Sequence, residues 1–176
     1  MASSPTVDEL KFGDASAWRW VLTEFVDPVK SYARRYGHPD PDEVVGATLE
    51  SVARKMPTFV GGERELRAFV FSVAHARIVD ELRRRRGRFE VEQQLGGSQV
   101  QLANAADEVP WLLLGALERL PQAQREVVHL RYIVGLTTAE AARVTGRTED
   151  ATRAILSRSL QQLREVMKGA GKSCAH

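Results

Sequence analysis

Apolar residues recur at spacings of three and four along most of the chain, and no stretch alternates apolar with polar in the manner of a half-buried strand. Residues 1–13 lack periodicity and are expected to form a loose leader. Trp18, Val21, Leu22 and Phe25 mark the inward face of a first helix. Asp27-Pro28 is expected to restart the chain, because proline fits the first helical position. Val29, Tyr32, Ala33 and Tyr36 carry the next face, with Lys30, Arg34 and Arg35 turned outward. After the break GHPDPD, Asp40 can cap a helix, Pro41 can open it, and Glu43 makes a carboxylate variant of the capping box. Val44, Val45, Thr48, Leu49, Val52 and Met56 form its apolar stripe. Pro57 to Gly62 is a loop with Phe59 and Val60 at its centre. A long helix over 63–86 follows, with Leu66, Phe69, Val70, Val73, Ala74 and Leu82 inward, ending in Arg83–Arg86 with Arg88 beyond Gly87.

Residues 87–107 are rich in Gln, Gly, Ser and Asn and read as a polar tether, with room for a short helical piece. Trp111, Leu112, Leu114, Leu117 and Leu120 open a second apolar region, and Pro121 starts a helix with Val127, Val128, Leu130 and Tyr132 on its apolar side. Thr137-Thr138-Ala139-Glu140 is a capping box, followed by small apolar residues Ala141, Ala142 and Val144 that allow close helix approach. Gly146 stands where a left-handed residue would close that helix. Thr148 can cap the next helix, whose first turn holds Glu149 and Asp150, favoured there by the helix dipole. Thr152, Ile155, Leu156, Leu160, Leu163 and Met167 make its core stripe, while Arg153, Ser157, Arg158 and Arg164 lie largely off it. The pattern is a helix-turn-helix with a basic face on its last helix. The fold class is all-α: a helical domain over 12–88, a linker over 89–107, a helix-turn-helix domain over 108–168 and a tail over 169–176.

A net charge of +2 on 176 residues gives no global field, so any affinity for nucleic acid rests on local clusters. A basic helix of this kind fits the DNA major groove, where arginine binds guanine edges or phosphates; a bundle with a solvated basic face is the plainer alternative. Four consecutive arginines exceed what a helix C-terminus attracts and point to a polyanionic partner, although a solvated basic end satisfies the pattern too. Phe59, Val60, Gly61 and Gly62 beside these charges can form a shallow pocket for an unstacked base, or Phe59 can simply close the core. A tether between two weak DNA contacts lets them act together. One cysteine, Cys174, excludes an internal disulfide and fits a reducing compartment; it lies in a short tail with His176. No apolar run nears the roughly twenty residues that span a bilayer, and no signal-peptide pattern opens the chain, so a cytoplasmic protein is expected. His38, His75, His129 and His176 are scattered, so neither a metal site nor a nucleophile–base pair is expected, nor any cofactor.

The order YARR, DPDEVVGATLESVA, PTF and LRAFVFSVAHARIVDELRRRR resembles region two of the extracytoplasmic-function (ECF) sigma factors of bacterial RNA polymerase. LPQAQREVVHLRYIVGLTTAEAARVTG and TRAILSRSLQQLRE resemble their region four, so that the likeness spans about 12–167. The resemblance implies a non-catalytic initiation factor whose partners are core RNA polymerase (β′ clamp helices and β flap), promoter DNA and, in many members, an anti-sigma protein. It implies core binding by Arg34, Arg35, Asp42, Glu43, Val44 and Leu49, although Gly46-Ala47 stands where the family usually has Gln-Glu. Phe59, Val60, Gly61, Gly62, His75, Arg77, Arg83 and Arg84 fall where the family handles the melted downstream (−10) element, with His75-Ala76 in place of a frequent Arg-Asn. Thr148, Thr152, Arg153, Ser157 and Arg158 fall on the helix that reads the duplex upstream (−35) element. Ala154 and Ile155 replace commonly polar or basic residues; Ile155 can meet a thymine methyl or pack inward. A stand-alone helix-turn-helix regulator is the competing reading, and it would need a ligand or dimerisation domain in the first half.

Overall fold

The computed structural model describes residues 5–92, 116, 117 and 119–173, the side chains of 86–92 and 167–173 aside. Most of the expected tether, Trp111, Leu112, Leu114, Cys174 and His176 lie outside the described residues, as do the side chains of Arg86, Arg88 and Met167. Among the described residues every regular element is helical. The chain divides into two compact units, Met1–Asn104 and Ala105–His176.

In the first unit the leader is not loose. Helix α1 (Val7–Lys11) starts from a full capping box, with the Thr6 amide donating to Glu9 Oε2 at 2.7 Å and the Glu9 amide to Thr6 Oγ1 at 3.3 Å. Leu10 is buried, and its carbonyl accepts the Trp18 indole N–H at 3.2 Å. Helix α2 (Ala15–Arg35) begins at the Asp14 cap and runs through Pro28 without the expected restart. Proline inside a helix costs about 3 kcal/mol. Phe25, Val29 and Tyr32 around it are fully buried, at about 1.5–3 kcal/mol each, so packing wins. Arg67 reinforces this turn from outside, pairing with Glu24 while lying 5.4 Å from the Phe25 ring centre. Leu22, expected inward, is half exposed.

Helix α3 (Pro41–Lys55) is capped by Asp40, whose Oδ1 accepts the Glu43 amide at 3.0 Å, and it tightens into a 3-10 turn at Met56–Thr58. Helix α4 (Glu63–Glu92) continues past the expected end at Arg86. A single interior glycine costs about 1 kcal/mol, too little on its own to end a long helix. The arginine run is therefore inside a helix, and the C-terminal dipole does not account for it. Helices α2, α3 and α4 close the core over Val21, Tyr32, Val52, Leu66, Val70, Phe71 and Ile78. Tyr32 meets Phe71 edge-on, with ring centres 5.6 Å apart.

In the second unit, helix α5 (Gln122–Val128) runs into a widened π turn, His129–Ile133, in which the Val134 amide donates to the His129 carbonyl at 3.0 Å. The wider turn leaves Tyr132, expected on the apolar side, 54% exposed. Helices α6 (Thr138–Thr145) and α7 (Glu149–Ser173) complete the unit. Its core joins Leu117, Leu120, Val127, Val128, Leu156 and Leu163, with Ile155 and Val166 packed against it.

Candidate nucleic-acid and polymerase interfaces

The helix-turn-helix forms through local bonds that its residues dictate. Thr137 and Glu140 cap α6 reciprocally, the Glu140 amide donating to Thr137 Oγ1 at 3.2 Å and the Thr137 amide to Glu140 Oε2 at 2.7 Å. Gly146 takes φ +66°, the left-handed conformation that turns the chain into α7. Thr148 Oγ1 then accepts the Ala151 amide at 3.2 Å. The corner between these helices is held by a pair absent from the sequence reading. Arg147 Nη1 bonds Glu126 Oε2 of α5 at 3.1 Å, with the Glu126 side chain 5% exposed. Nothing local signals it, since its partners stand 21 residues apart.

Along α7 the solvent face carries Arg153, Ser157 and Arg158. Thr152 must be removed from the expected reading face: it is fully buried, and its hydroxyl donates to the Thr148 carbonyl at 2.9 Å. Ile155 is half-buried and packs on the core. Arg153 bridges Glu149 Oε1 at 2.7 Å and Asp150 Oδ1 at 2.8 Å. Exposed pairs of this kind are worth up to about 1 kcal/mol, so a phosphate or a guanine edge can draw the guanidinium away. Arg158 Nε rests on the Ala154 carbonyl at 3.3 Å.

In the first unit, Asp42 and Glu43 stand exposed on the opening turn of α3, Leu49 is half-buried, Arg34 is exposed and Arg35 is half-buried. Val44, expected among the docking contacts, is 3% exposed and belongs to the core; it supports the face from beneath. Lys30 of α2 reaches Asp42 Oδ1 at 2.6 Å, fixing an acid that the pattern alone left free. Gly46 lies exposed, and a Cβ there would meet nothing within 4 Å.

The Phe59–Gly62 loop leads into α4. Phe59 is half-buried, its ring centre 5.3 Å from that of Phe69, while Val60 is 90% exposed. His75 turns toward the unit's interior: Nδ1 hydrogen-bonds the hydroxyl of buried Tyr32 at 3.1 Å, and its ring meets Tyr36 edge-on. Arg77 Nη2 donates to Ser51 Oγ at 3.0 Å, tying α4 to α3. Arg83 and Arg84 are exposed, with Asp80 Oδ1 at 3.9 Å and Glu81 Oε2 at 3.3 Å as their neighbours. Among the described residues no group of acidic, His or Cys side chains is arranged to hold a metal ion, and no helix is long and apolar enough to cross a membrane.

Residues 21–88 match the family Sigma-70 region 2, and residues 116–165 match Sigma-70, region 4. The chain is 28% identical over 175 residues to the ECF RNA polymerase sigma factor BldN of Streptomyces coelicolor, covering 92% of this chain and 64% of that relative's length. It is 30% identical over 178 residues to the ECF RNA polymerase sigma factor SigD of Mycobacterium tuberculosis, covering 94% of this chain and 84% of SigD. The chain belongs to the ECF sigma factors. Members of this family are transcription initiation subunits, not enzymes, and they direct RNA polymerase to promoters. Two solved structures share the fold. The sigma factor RpoE, co-crystallised with the anti-sigma factor NepR from Bartonella quintana, has a TM-score of 0.69 at 23% identity, over 86% of this chain and 96% of that one. CnrH in complex with the cytosolic domain of CnrY has a TM-score of 0.62 at 21% identity, over 93% and 95% of the two chains.

Proposed function

We propose that this ECF sigma factor binds core RNA polymerase through its first unit and recruits it to promoters read by both units, without catalysing a reaction itself. The observation that carries this reading is the pairing of the two family matches in one chain, region 2 ahead of region 4, each falling on a compact helical unit. Core docking is assigned to the α3 face: Asp42, Glu43 and half-buried Leu49, with Arg34 and Arg35 of α2 alongside. The melted downstream element is assigned to Phe59, Val60, Gly61 and Gly62, with Arg77, Arg83 and Arg84 supplying positive charge and His75 shaping α4 from within. The duplex upstream element is assigned to Arg153, Ser157 and Arg158, with Thr148 placing the start of the reading helix. We assign the first functional domain to 12–88 and the second to 108–168, and we place the protein in the cytoplasm with the polymerase. Because the RpoE and CnrH structures are complexes with NepR and CnrY, an anti-sigma protein is a partner to seek here.

Run-off transcription with purified core polymerase and a genomic promoter library tests the proposal. Start-site-specific transcripts that appear only when this chain is added are the expected result. Absence of any such transcript, together with tight unaided binding to duplex operators, would replace it with a stand-alone regulator.

A further inference from the structure

Glu65, in the first turn of α4, touches the Phe59–Gly62 loop in two ways. Its Oε2 accepts the Gly62 amide at 2.8 Å. Its stem also fills the space beneath Gly61: a Cβ on that glycine would lie 2.6 Å from Glu65 Cβ, 3.1 Å from its Cγ and 3.2 Å from Phe59 Cζ. Gly61 has φ +146°, where side chains are strained, and at Gly62 a Cβ would sit 3.4 Å from Glu65 Oε2. The loop is therefore folded back onto the carboxylate at one end, while Phe59 leans on Phe69 at the other. Val60 projects between these two anchors, 90% exposed.

We infer that Glu65 is a positioning residue for capture of single-stranded DNA, holding this loop in its receptive shape before the strand arrives; this rests on the reading of Phe59–Gly62 as the strand-binding loop. A short loop that is already ordered does not lose its conformational freedom on binding, and that saving appears as affinity. A carboxylate beside an anionic strand would oppose binding if it faced the strand. Its bond to the Gly62 amide gives it a different task, and that task needs an acceptor oxygen more than a charge. Glutamine keeps such an oxygen.

The two roles of Glu65, helix cap and loop anchor, separate in a binding assay on the reconstituted holoenzyme. The probe is a fork-junction DNA library randomised in its upstream duplex and in its single-stranded downstream segment, with a fully duplex library alongside. Glu65→Ala is expected to weaken fork capture on the order of fivefold to tenfold. Core affinity and duplex-library binding should remain at wild-type levels, and Glu65→Gln should remain within about twofold of wild type on the fork. Fork capture unchanged in Glu65→Ala overturns the inference. So does a parallel loss of fork, duplex and core binding in both variants, which marks a helix cap alone. Phe59→Ala guards the underlying reading. If it leaves fork capture intact, the loop is not the strand site and both ideas fall; if it abolishes capture while Glu65→Ala does not, only the positioning role is lost.

Discussion

Gly46 and Gly146 show how one dihedral angle decides the sign of a substitution. A Cβ added at either position meets nothing within 4 Å, so crowding does not distinguish them. Gly46 has ordinary helical φ inside α3, whereas Gly146 sits at φ +66°. Gly46→Ala should therefore stabilise the first unit by about 1 kcal/mol, and Gly146→Ala should destabilise the second by about 1–2 kcal/mol. Urea denaturation read by circular dichroism measures both. Removing Arg147 is expected to be costly for a different reason, because the buried Glu126 carboxylate loses a charged partner 3.1 Å away. Arg147→Ala should lower stability by about 1–3 kcal/mol, and thermal melting at neutral pH checks it. Asp14 titrates below the usual carboxylate range because the Ser16 hydroxyl, followed by the Ala17 amide, bonds its charged form. Its contribution is thus present above the ordinary aspartate pKa and lost as pH falls through the lowered one. Caps such as Asp40, Thr137 and Thr148 were legible in the sequence because donor and acceptor lie within three residues. The Glu126–Arg147, Lys30–Asp42 and His75–Tyr32 contacts were not, since only the folded chain brings their partners together. Glu65 stood between: its spacing from Gly62 has the capping form, but glycine offers no side chain to complete it.

Helices were legible where apolar spacing was regular, and their ends were misjudged where proline or glycine interrupted a packed stripe. Pro28 lies inside a helix because burial of Phe25, Val29 and Tyr32 outweighs a local penalty of about 3 kcal/mol, and Gly87 lies inside one because its penalty of about 1 kcal/mol is too small to end it. Continuation of α4 through Gly87 limits what the arginine run can do. Successive residues on a helix point about 100° apart, so adjacent arginines encircle α4 and do not form a single patch. Arg83 and Arg84 side chains are 78% and 66% exposed, while that of Arg85 is only 31% exposed and bonds Glu81 Oε1 at 3.1 Å. Arg84→Ala should accordingly weaken holoenzyme binding to fork DNA and flatten its salt dependence by about one charge, whereas Arg85→Ala should act mainly on thermal stability. Titrating fork binding against salt for both variants separates the two outcomes. The π turn at His129–Ile133 had no sequence signal, because none of its residues is a glycine or proline that would mark a change of helical register.

At the scale of the molecule, the division into two units was visible from the polar stretch between two periodic regions, and the corresponding family matches follow the same order. The proposed promoter contacts of the two units are joined on one chain, which makes the second contact intramolecular once the first has formed. Cutting the chain between the units and adding the halves together at equal concentration should therefore reduce promoter-specific transcription on the order of a hundredfold or more. Abortive transcript assays with the intact and divided chain measure this. Each unit also closes its own hydrophobic core, the first around Phe25, Tyr32 and Phe71, the second around Leu120, Val127 and Leu156. Each half therefore brings the residues of its own core with it. A graft of residues 105–176 onto the leading half of another family member should carry its upstream preference along, leaving the host's melting chemistry as it was.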